Sequence, residues 1–196
     1  MRHEKSLGAE YFTRLYADDP DPWKFESSDY ERAKYEHTLA ALPQPRFRRA
    51  LEIGCANGLL TARLAERCDR VVGVDVVDQV VAAARARCAG LPQVTIRKAQ
   101  IPRDRIDGVF DLILLSEVAY YWDDGDLAAA AGYFRDAVEA GGYLVLVHWT
   151  GETDYPKSAD DAVSELRRMT RRCFTVARRE RLPEYRLDVW MRRADA

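Results

Sequence analysis

The sequence predicts an α/β fold: a doubly wound, mostly parallel sheet of seven strands, closed by an antiparallel C-terminal hairpin and preceded by N-terminal helices. Three observations carry this reading. Apolar, β-rich runs alternate with helical periodicity from about residue 49 to residue 150. The strand candidates RALEIG, RVVGVD, FDLILLSE and YLVLVHW are largely continuous apolar runs rather than alternating ones, as in strands covered on both faces. The last two strands are joined by a connection too short for a crossover helix, so they must run antiparallel.

Taken in order, residues 1–48 carry no strand signal. LGAEYFTRLYADD and DYERAKYEHTLAAL read as helices, separated by PDPWKFESS, where Pro20 and Pro22 interrupt any helix and leave Trp23 and Phe25 free to pack. RALEIG is the first strand, followed by a helix over GLLTARLAERC with Leu60, Leu64 and Cys68 at helical spacing. RVVGVD is the second strand, and DQVVAAARARC is a helix opened by Asp78 as its N-cap. VTIRKA and FDLILLSE are strands three and four. DGDLAAAAGYFRDAVEA is the next helix, with Gly141-Gly142 as its stop, and YLVLVHW is strand five. SADDAVSELRRMTRR is a last helix, after which CFTVARRER and EYRLDVWMRR pair through a turn around Leu182-Pro183. The expected organisation is one domain over 1–196, with an N-terminal helical lid or substrate segment (1–48), a cofactor-binding core (49–150) and a C-terminal helix and hairpin (151–196).

Composition narrows the classes. A chain of 196 residues with 47% hydrophobic content can bury one core, and a net charge of -2 offers no general electrostatic footprint for nucleic acid or an anionic membrane. Cys55, Cys68, Cys88 and Cys173 lie apart with no C-x-x-C pair, which argues for reduced thiols and against a zinc site or disulfide framework. No apolar run approaches a membrane span, and the N-terminus has no signal-peptide character. A cytoplasmic protein with no metal, nucleic-acid or membrane partner is expected, its oligomeric state left open.

In an open parallel sheet, ligands bind beyond the carboxyl ends of the strands. Those ends read Gly54-Cys55-Ala56-Asn57-Gly58, Asp75, Ala99-Gln100, Ser116-Glu117 and His148-Trp149, polar or flexible residues against apolar strand interiors. Gly54 and Gly58 permit a tight turn and close backbone approach, and the helix that follows offers unpaired N–H groups. Asp75 stands where an acid accepts ribose hydroxyls in nucleotide-binding βαβ units. The G-x-x-x-G spacing departs from the G-x-G-x-x-G of a dinucleotide site. Glu52, just before it, would repel a pyrophosphate but suits a ligand bearing an ammonium group. The set points to S-adenosyl-L-methionine, the plainer alternative being a structural turn with Glu52 bound to an arginine.

On these residues the sequence resembles the class I S-adenosylmethionine-dependent methyltransferases. LEIGCANG looks like their first motif, VVGVD like the acidic-loop motif, FDLILLSEV like the strand-four motif and EAGGYLVL like the approach to strand five. The segment DPDPWKFESSDYERAKYEHTLAAL is similar to the rhizobial nodulation protein S (NodS) subfamily, whose members resemble N-methyltransferases acting on the amine of a deacetylated chitooligosaccharide. The resemblance implies methyl transfer to a small-molecule acceptor, the amine of an amino sugar or a related compound, with S-adenosyl-L-homocysteine as product. It places Gly54, Ala56 and Gly58 near the methionine part, has Glu52 orient that region, and sets Asp75 on the ribose. Val76 and Ile101 then flank the adenine and Gln100 meets its edge, while Cys55, Ser116, Glu117 and Trp23 are further candidates for the pocket. Ala56 stands in place of the usual middle glycine, and Gln100 where the family often has an aspartate.

Three residues are candidates for the chemistry on the acceptor side. His148 has the ordinary pKa best suited to a general base. Glu117 could accept a hydrogen bond from an ammonium group, and Tyr121, within AYYWDD, could form an aromatic wall beside a cation. The plainer alternatives are a structural histidine at the sheet edge and core packing for Tyr120, Tyr121 and Trp122. Trp23 belongs either to a closing lid or to a fixed anchor for the N-terminal helices. The arginines from Arg167 to Arg181 could guide an anionic substrate, though such a run is usually a solvated face. Competing functions are O-methylation, noncatalytic S-adenosylmethionine binding and, on fold alone, nicotinamide-dependent oxidoreduction. A metal-dependent O-methyltransferase would need carboxylates such as Asp123 and Asp124 to converge.

Overall fold

The computed structural model describes residues 2–194; Met1, Asp195 and Ala196, at the ends of the expected 1–196 domain, lie outside the described residues. Two helices come first, α1 (Ala9–Asp18) and α2 (Asp29–Ala40), the second started by Ser28, whose side chain accepts from the Glu31 amide. Strands and helices then alternate: β1 (Ala50–Ile53), α3 (Leu59–Leu64), β2 (Val71–Asp75), α4 (Asp78–Arg87), β3 (Val94–Lys98) and β4 (Phe110–Ser116). They continue with α5 (Asp124–Ala137), β5 (Val138–Trp149), α6 (Ala159–Thr170), β6 (Phe174–Arg181) and β7 (Tyr185–Arg192).

The seven strands form one sheet in the order β3-β2-β1-β4-β5-β7-β6. β1 to β5 are parallel, and β7 inserts antiparallel between β5 and the edge strand β6. The winding reverses between β1 and β4, where an open α/β sheet leaves a crevice at its carboxyl edge. The continuous apolar runs have their expected cause, since β1 and β4 are buried along their whole length. One sheet face packs Leu51, Ile113 and Leu115 with Phe134 of α5, Leu166 of α6 and Phe12 of α1. The other packs Leu112, Leu114 and Val145 with Leu60 and Leu64 of α3 and Tyr35 of α2. Each fully buried side chain of this kind contributes about 1.5–3 kcal/mol.

Two local expectations are corrected. Asp78 does not cap α4: Val77 holds the N-cap position without a side-chain bond, and Asp78 sits in the first turn, where it accepts from Lys98 Nζ at 2.6 Å. Gly141-Gly142 does not stop α5, which ends at Ala137 as the chain passes directly into β5. The glycines serve a strand irregularity instead. Val138 pairs with Phe110, the register shifts, and a Cβ at Gly142 would lie 3.1 Å from the Asp111 carbonyl oxygen. That approach of backbone to backbone leaves little room for a larger residue.

Candidate active site

The turn after β1 is built for contact with the end of β4. Gly54 has φ +83°, and a Cβ there would lie 2.8 Å from the Ser116 carbonyl oxygen and 2.5 Å from Val118 Cγ2. Only glycine satisfies both the backbone angle and the space. Ala56 also adopts a positive φ, +43°, at a cost of about 1–2 kcal/mol for a residue with a Cβ. The bond that holds it there is its N–H to Asp75 Oδ2 at 3.0 Å. Asp75 Oδ1 accepts from the N–H groups of Val76 at 2.7 Å and Val77 at 3.2 Å. Burial raises the Asp75 carboxyl and these three amides oppose the rise, so the acid pins the glycine turn to the end of β2. A carboxylate offers about four lone-pair sites, so acceptor capacity remains for hydroxyls of a ligand.

Above this turn lies a cavity of about 950 Å³. Gly54, Ala56, Asp75, Val76, Gln100, Ile101, Ser116, Glu117, Tyr121 and Trp23 all line it, so most of the candidates converge on one chamber. Three of the cofactor-side candidates do not reach its wall. Gly58, with φ +80°, packs its backbone against Ala84 of α4, where a Cβ would be 3.0 Å from Ala84 Cα. Cys55 is buried against Val81 and Ala84. Glu52 is buried under the turn, and burial pushes its carboxyl up to about 8, with Asp75 raising it further and Thr61 opposing. Its part is beneath the site rather than against a ligand.

The N-terminal residues supply the opposite wall. Tyr11, Phe12, Tyr16, Trp23 and Phe25 line the cavity, and Trp23 rests between Tyr16 and Phe25 at 5.6 Å from each ring. Leu7 N–H donates to the Tyr121 carbonyl at 2.9 Å, and His3 N–H to the Asp154 carbonyl at 2.7 Å. Ser6 and Asp123 exchange two further bonds, Asp123 N–H to Ser6 Oγ at 2.8 Å and Ser6 N–H to Asp123 Oδ2 at 3.3 Å. The segment before α1 is thus laced across the chamber by backbone bonds.

A buried charge network faces the cavity between α2 and β4. Glu117, with φ +58°, accepts at Oε1 from Lys34 Nζ at 2.7 Å; its Oε2 accepts from Tyr120 Oη at 2.6 Å and Trp149 N–H at 2.8 Å. Lys34 also donates to Glu31 Oε1 at 2.9 Å. Burial alone would raise Glu117, but the Lys34 charge and hydrogen bond and the Trp149 amide hold its carboxyl below the usual range. Burial alone would lower Lys34, and the two carboxylates hold it above its ordinary value. Lys34 and Glu31 escaped the sequence reading. The signal was present in DYERAKYEHTLAAL: Glu31, Lys34, Tyr35 and Thr38 recur at helical spacing and are the buried face of α2, a core stripe written partly in charges.

His148 is brought to the site's edge but not into it. It is fully enclosed, does not line the cavity, and its Nε2 accepts from the Ala119 N–H at 3.0 Å. Burial lowers its pKa to about 4, so it is neutral, with the proton on Nδ1. It braces the helical turn Ala119–Tyr121, which carries Tyr120 and Tyr121 into the cavity wall. Asp123 and Asp124 have separate duties, the first capping α5 and the second pairing with Lys157. Among the described residues, no group of His, Cys, Asp and Glu is placed to hold a metal ion. Several C-terminal arginines are spent on pairing: Arg181 on Asp160, Arg179 on Asp188, and Arg178 on Glu180. No helix among the described residues is long and apolar enough to cross a membrane.

The chain is similar to several known proteins. The nodulation protein S of Rhizobium tropici is 32% identical over 64% of this chain and 53% of its own length. That of Sinorhizobium fredii is 33% identical over 53% of this chain and 49% of its own. The chain thus spans about half the length of the curated relatives it matches. A Pseudomonas syringae protein taken to be a methyltransferase superposes with a TM-score of 0.73 at 37% identity, over 83% of this chain and 99% of that one. The N-methyltransferase NodS of Bradyrhizobium japonicum WM9, solved with S-adenosyl-L-homocysteine, superposes with a TM-score of 0.83 over 95% of this chain and 99% of that one, and at 22% identity it bears on the fold alone. The family model for nodulation protein S matches residues 10–140, from α1 through the glycine turn into β5, and on that match the chain belongs to the nodulation protein S (NodS) family.

Proposed function

We propose that the protein is an S-adenosyl-L-methionine-dependent methyltransferase whose acceptor is a small molecule, the amine of an amino sugar or a related compound. The observation that carries this is one chamber holding both an adenosine-type slot and a buried, partly uncommitted acidic network. The slot fits the cofactor by its donor set: Asp75 for hydroxyls, Val76 and Ile101 for an apolar ring, and Gln100 for the ring's polar edge. The Gly54 cradle, which a Cβ would fill, leaves room for close backbone approach. When bound, the cofactor supplies an electrophilic methyl group on a sulfonium.

What remains for the protein is to orient the acceptor, exclude water and manage a proton. Tyr120, Tyr121 and Tyr155 form an aromatic cluster with ring separations of 4.6 to 5.4 Å, suited to a cation or to the face of a sugar. Glu117, fixed by three donors, presents negative charge without being free to move. His148, denied contact with the acceptor by its burial, is read as a positioning residue for the Ala119–Tyr121 turn rather than as the base. The segment before α1, with Trp23, is read as the closing wall that keeps water out.

Calorimetric titration with S-adenosyl-L-homocysteine, with NAD as control, tests the cofactor assignment. One-to-one micromolar binding of the first and none of the second is expected, and Asp75→Ala should remove it. Wild-type protein that is folded, free of carried-over cofactor and still binds neither would refute the proposal. O-methylation is separated by mass spectrometry of products from an amine and from its N-acetylated counterpart.

A further inference from the structure

Glu31 is 7% exposed, and its two carboxylate oxygens are in different situations. Oε1 accepts from Lys34 Nζ at 2.9 Å, whereas Oε2 is buried with no hydrogen-bond partner among the described residues. The hydroxyl of the neighbouring Tyr30 is likewise buried and without a partner, and both residues line the cavity. A buried polar group left unpaired costs about 1–3 kcal/mol, and more when charged. Two such groups on adjacent residues, in the wall of a ligand chamber, mark where a ligand's donors belong.

We infer that Glu31 Oε2 and the Tyr30 hydroxyl receive the amino group of the methyl acceptor, and that Glu31 takes the proton this nitrogen must lose. The inference rests on the amine-methylating function proposed above. The other candidate bases are committed elsewhere. Glu117 has both oxygens occupied by Lys34, Tyr120 and Trp149 and is held below the usual carboxylate range, which weakens it as a base. His148 is enclosed and already accepts from Ala119. Glu31 is tuned the opposite way: burial raises its carboxyl, Lys34 on the same helix opposes, and Glu117 from the loop after β4 and Asp21 from the connector before α2 raise it further. A raised carboxyl is a better proton acceptor near neutral pH.

The step balances with the methyl donor as the only co-reactant. The nitrogen lone pair forms the new bond to the methyl carbon, the carbon–sulfur electron pair returns to sulfur, and the amine proton passes to Oε2, leaving Glu31 a neutral acid. Lys34 occupies Oε1, so Oε2 is the oxygen left for the ligand.

The test is calorimetric titration of D-glucosamine into protein saturated with S-adenosyl-L-homocysteine, with N-acetyl-D-glucosamine as control. Wild type should bind the amine and not the amide. Glu31→Gln should bind S-adenosyl-L-homocysteine as wild type does, bind glucosamine at least about tenfold more weakly, and transfer methyl about 10²- to 10⁴-fold more slowly. Tyr30→Phe, which removes only a hydroxyl, should weaken glucosamine by about two- to tenfold. Glucosamine affinity and turnover unchanged in Glu31→Gln overturn the assignment and leave the methyltransferase proposal standing. Failure of the wild-type complex to bind glucosamine overturns this assignment and the amino-sugar acceptor, while S-adenosyl-L-homocysteine binding still decides the methyltransferase proposal. If Glu31→Gln loses its fold, Tyr30→Phe decides, and unchanged amine affinity there is the overturning result.

Discussion

Replacing Lys34 by Met would show whether the charge network organises the site. The Lys34 side chain is 3% exposed, and its ammonium lies 2.7 Å from Glu117 and 2.9 Å from Glu31, whose side chains are 19% and 9% exposed. Met keeps the length of the stem and removes the cation, leaving two carboxylates buried without it. Breaking a buried pair this way costs about 3–5 kcal/mol. For a chain of this size that is a loss of roughly 6–20 °C in melting temperature at neutral pH.

The pH dependence carries the sharper test. In the wild type, Glu117 is held below its ordinary value, so its contribution is present above the unfolded carboxylate pKa and is lost as acid protonates the folded group. Without Lys34, burial and mutual repulsion push Glu31 and Glu117 upward, so each carboxylate is penalised at high pH and relieved as it takes a proton. The destabilisation should therefore be largest near pH 8 and should shrink toward pH 5. Urea unfolding at the two values measures it. A loss below about 1 kcal/mol, the range of an exposed pair, with no pH dependence, would refute the buried-network account.

Two further outcomes follow from the same structure. Gly54→Ala adds backbone strain of about 1–2 kcal/mol and a collision with the Ser116 carbonyl and Val118. With overpacking of about 1–3 kcal/mol, the variant should lose about 2–5 kcal/mol in denaturant unfolding and lose S-adenosyl-L-homocysteine affinity; a stable, binding variant would mean that the turn relaxes freely. His148 should make the fold acid-labile: its folded pKa of about 4 lies below the ordinary 6.5, so stability is whole above pH 6.5 and is lost on acidification toward pH 4. The loss is about 3 kcal/mol over that window, and His148→Gln, which keeps an acceptor for the Ala119 N–H, should flatten the pH-stability curve there if the account is right.

The family, the sheet and most of the chamber wall proposed for the cofactor were legible in sequence because they depend on local rules. Continuous apolar runs give buried parallel strands, and a glycine turn followed by an acid at the end of the next strand gives a nucleotide slot. That rule marked Gly54, Asp75 and Gln100 at the strand ends, and the family resemblance added Val76 and Ile101; all five line the one chamber. Residue type alone could not say which candidates face the ligand. Gly58 serves helix packing, Glu52 lies beneath the turn, and His148 braces a turn from behind, because neighbours distant in the chain (Ala84, Thr61 and Ala119) decide their surroundings.

The proposed acceptor side depends on tertiary structure. Lys34 and Glu117 stand 83 positions apart and meet only because α2 folds across the carboxyl edge of β4. Burial then gives three carboxylates three characters: Glu52 raised beneath the turn, Glu117 lowered by Lys34, and Glu31 raised with one oxygen free. In sequence all three are the same letter. The sequence determined the scaffold and pointed to the proposed class of ligand through periodicity and turn chemistry; desolvation and pairing, which exist only once the chain is packed, set which of these acids is raised and which is lowered.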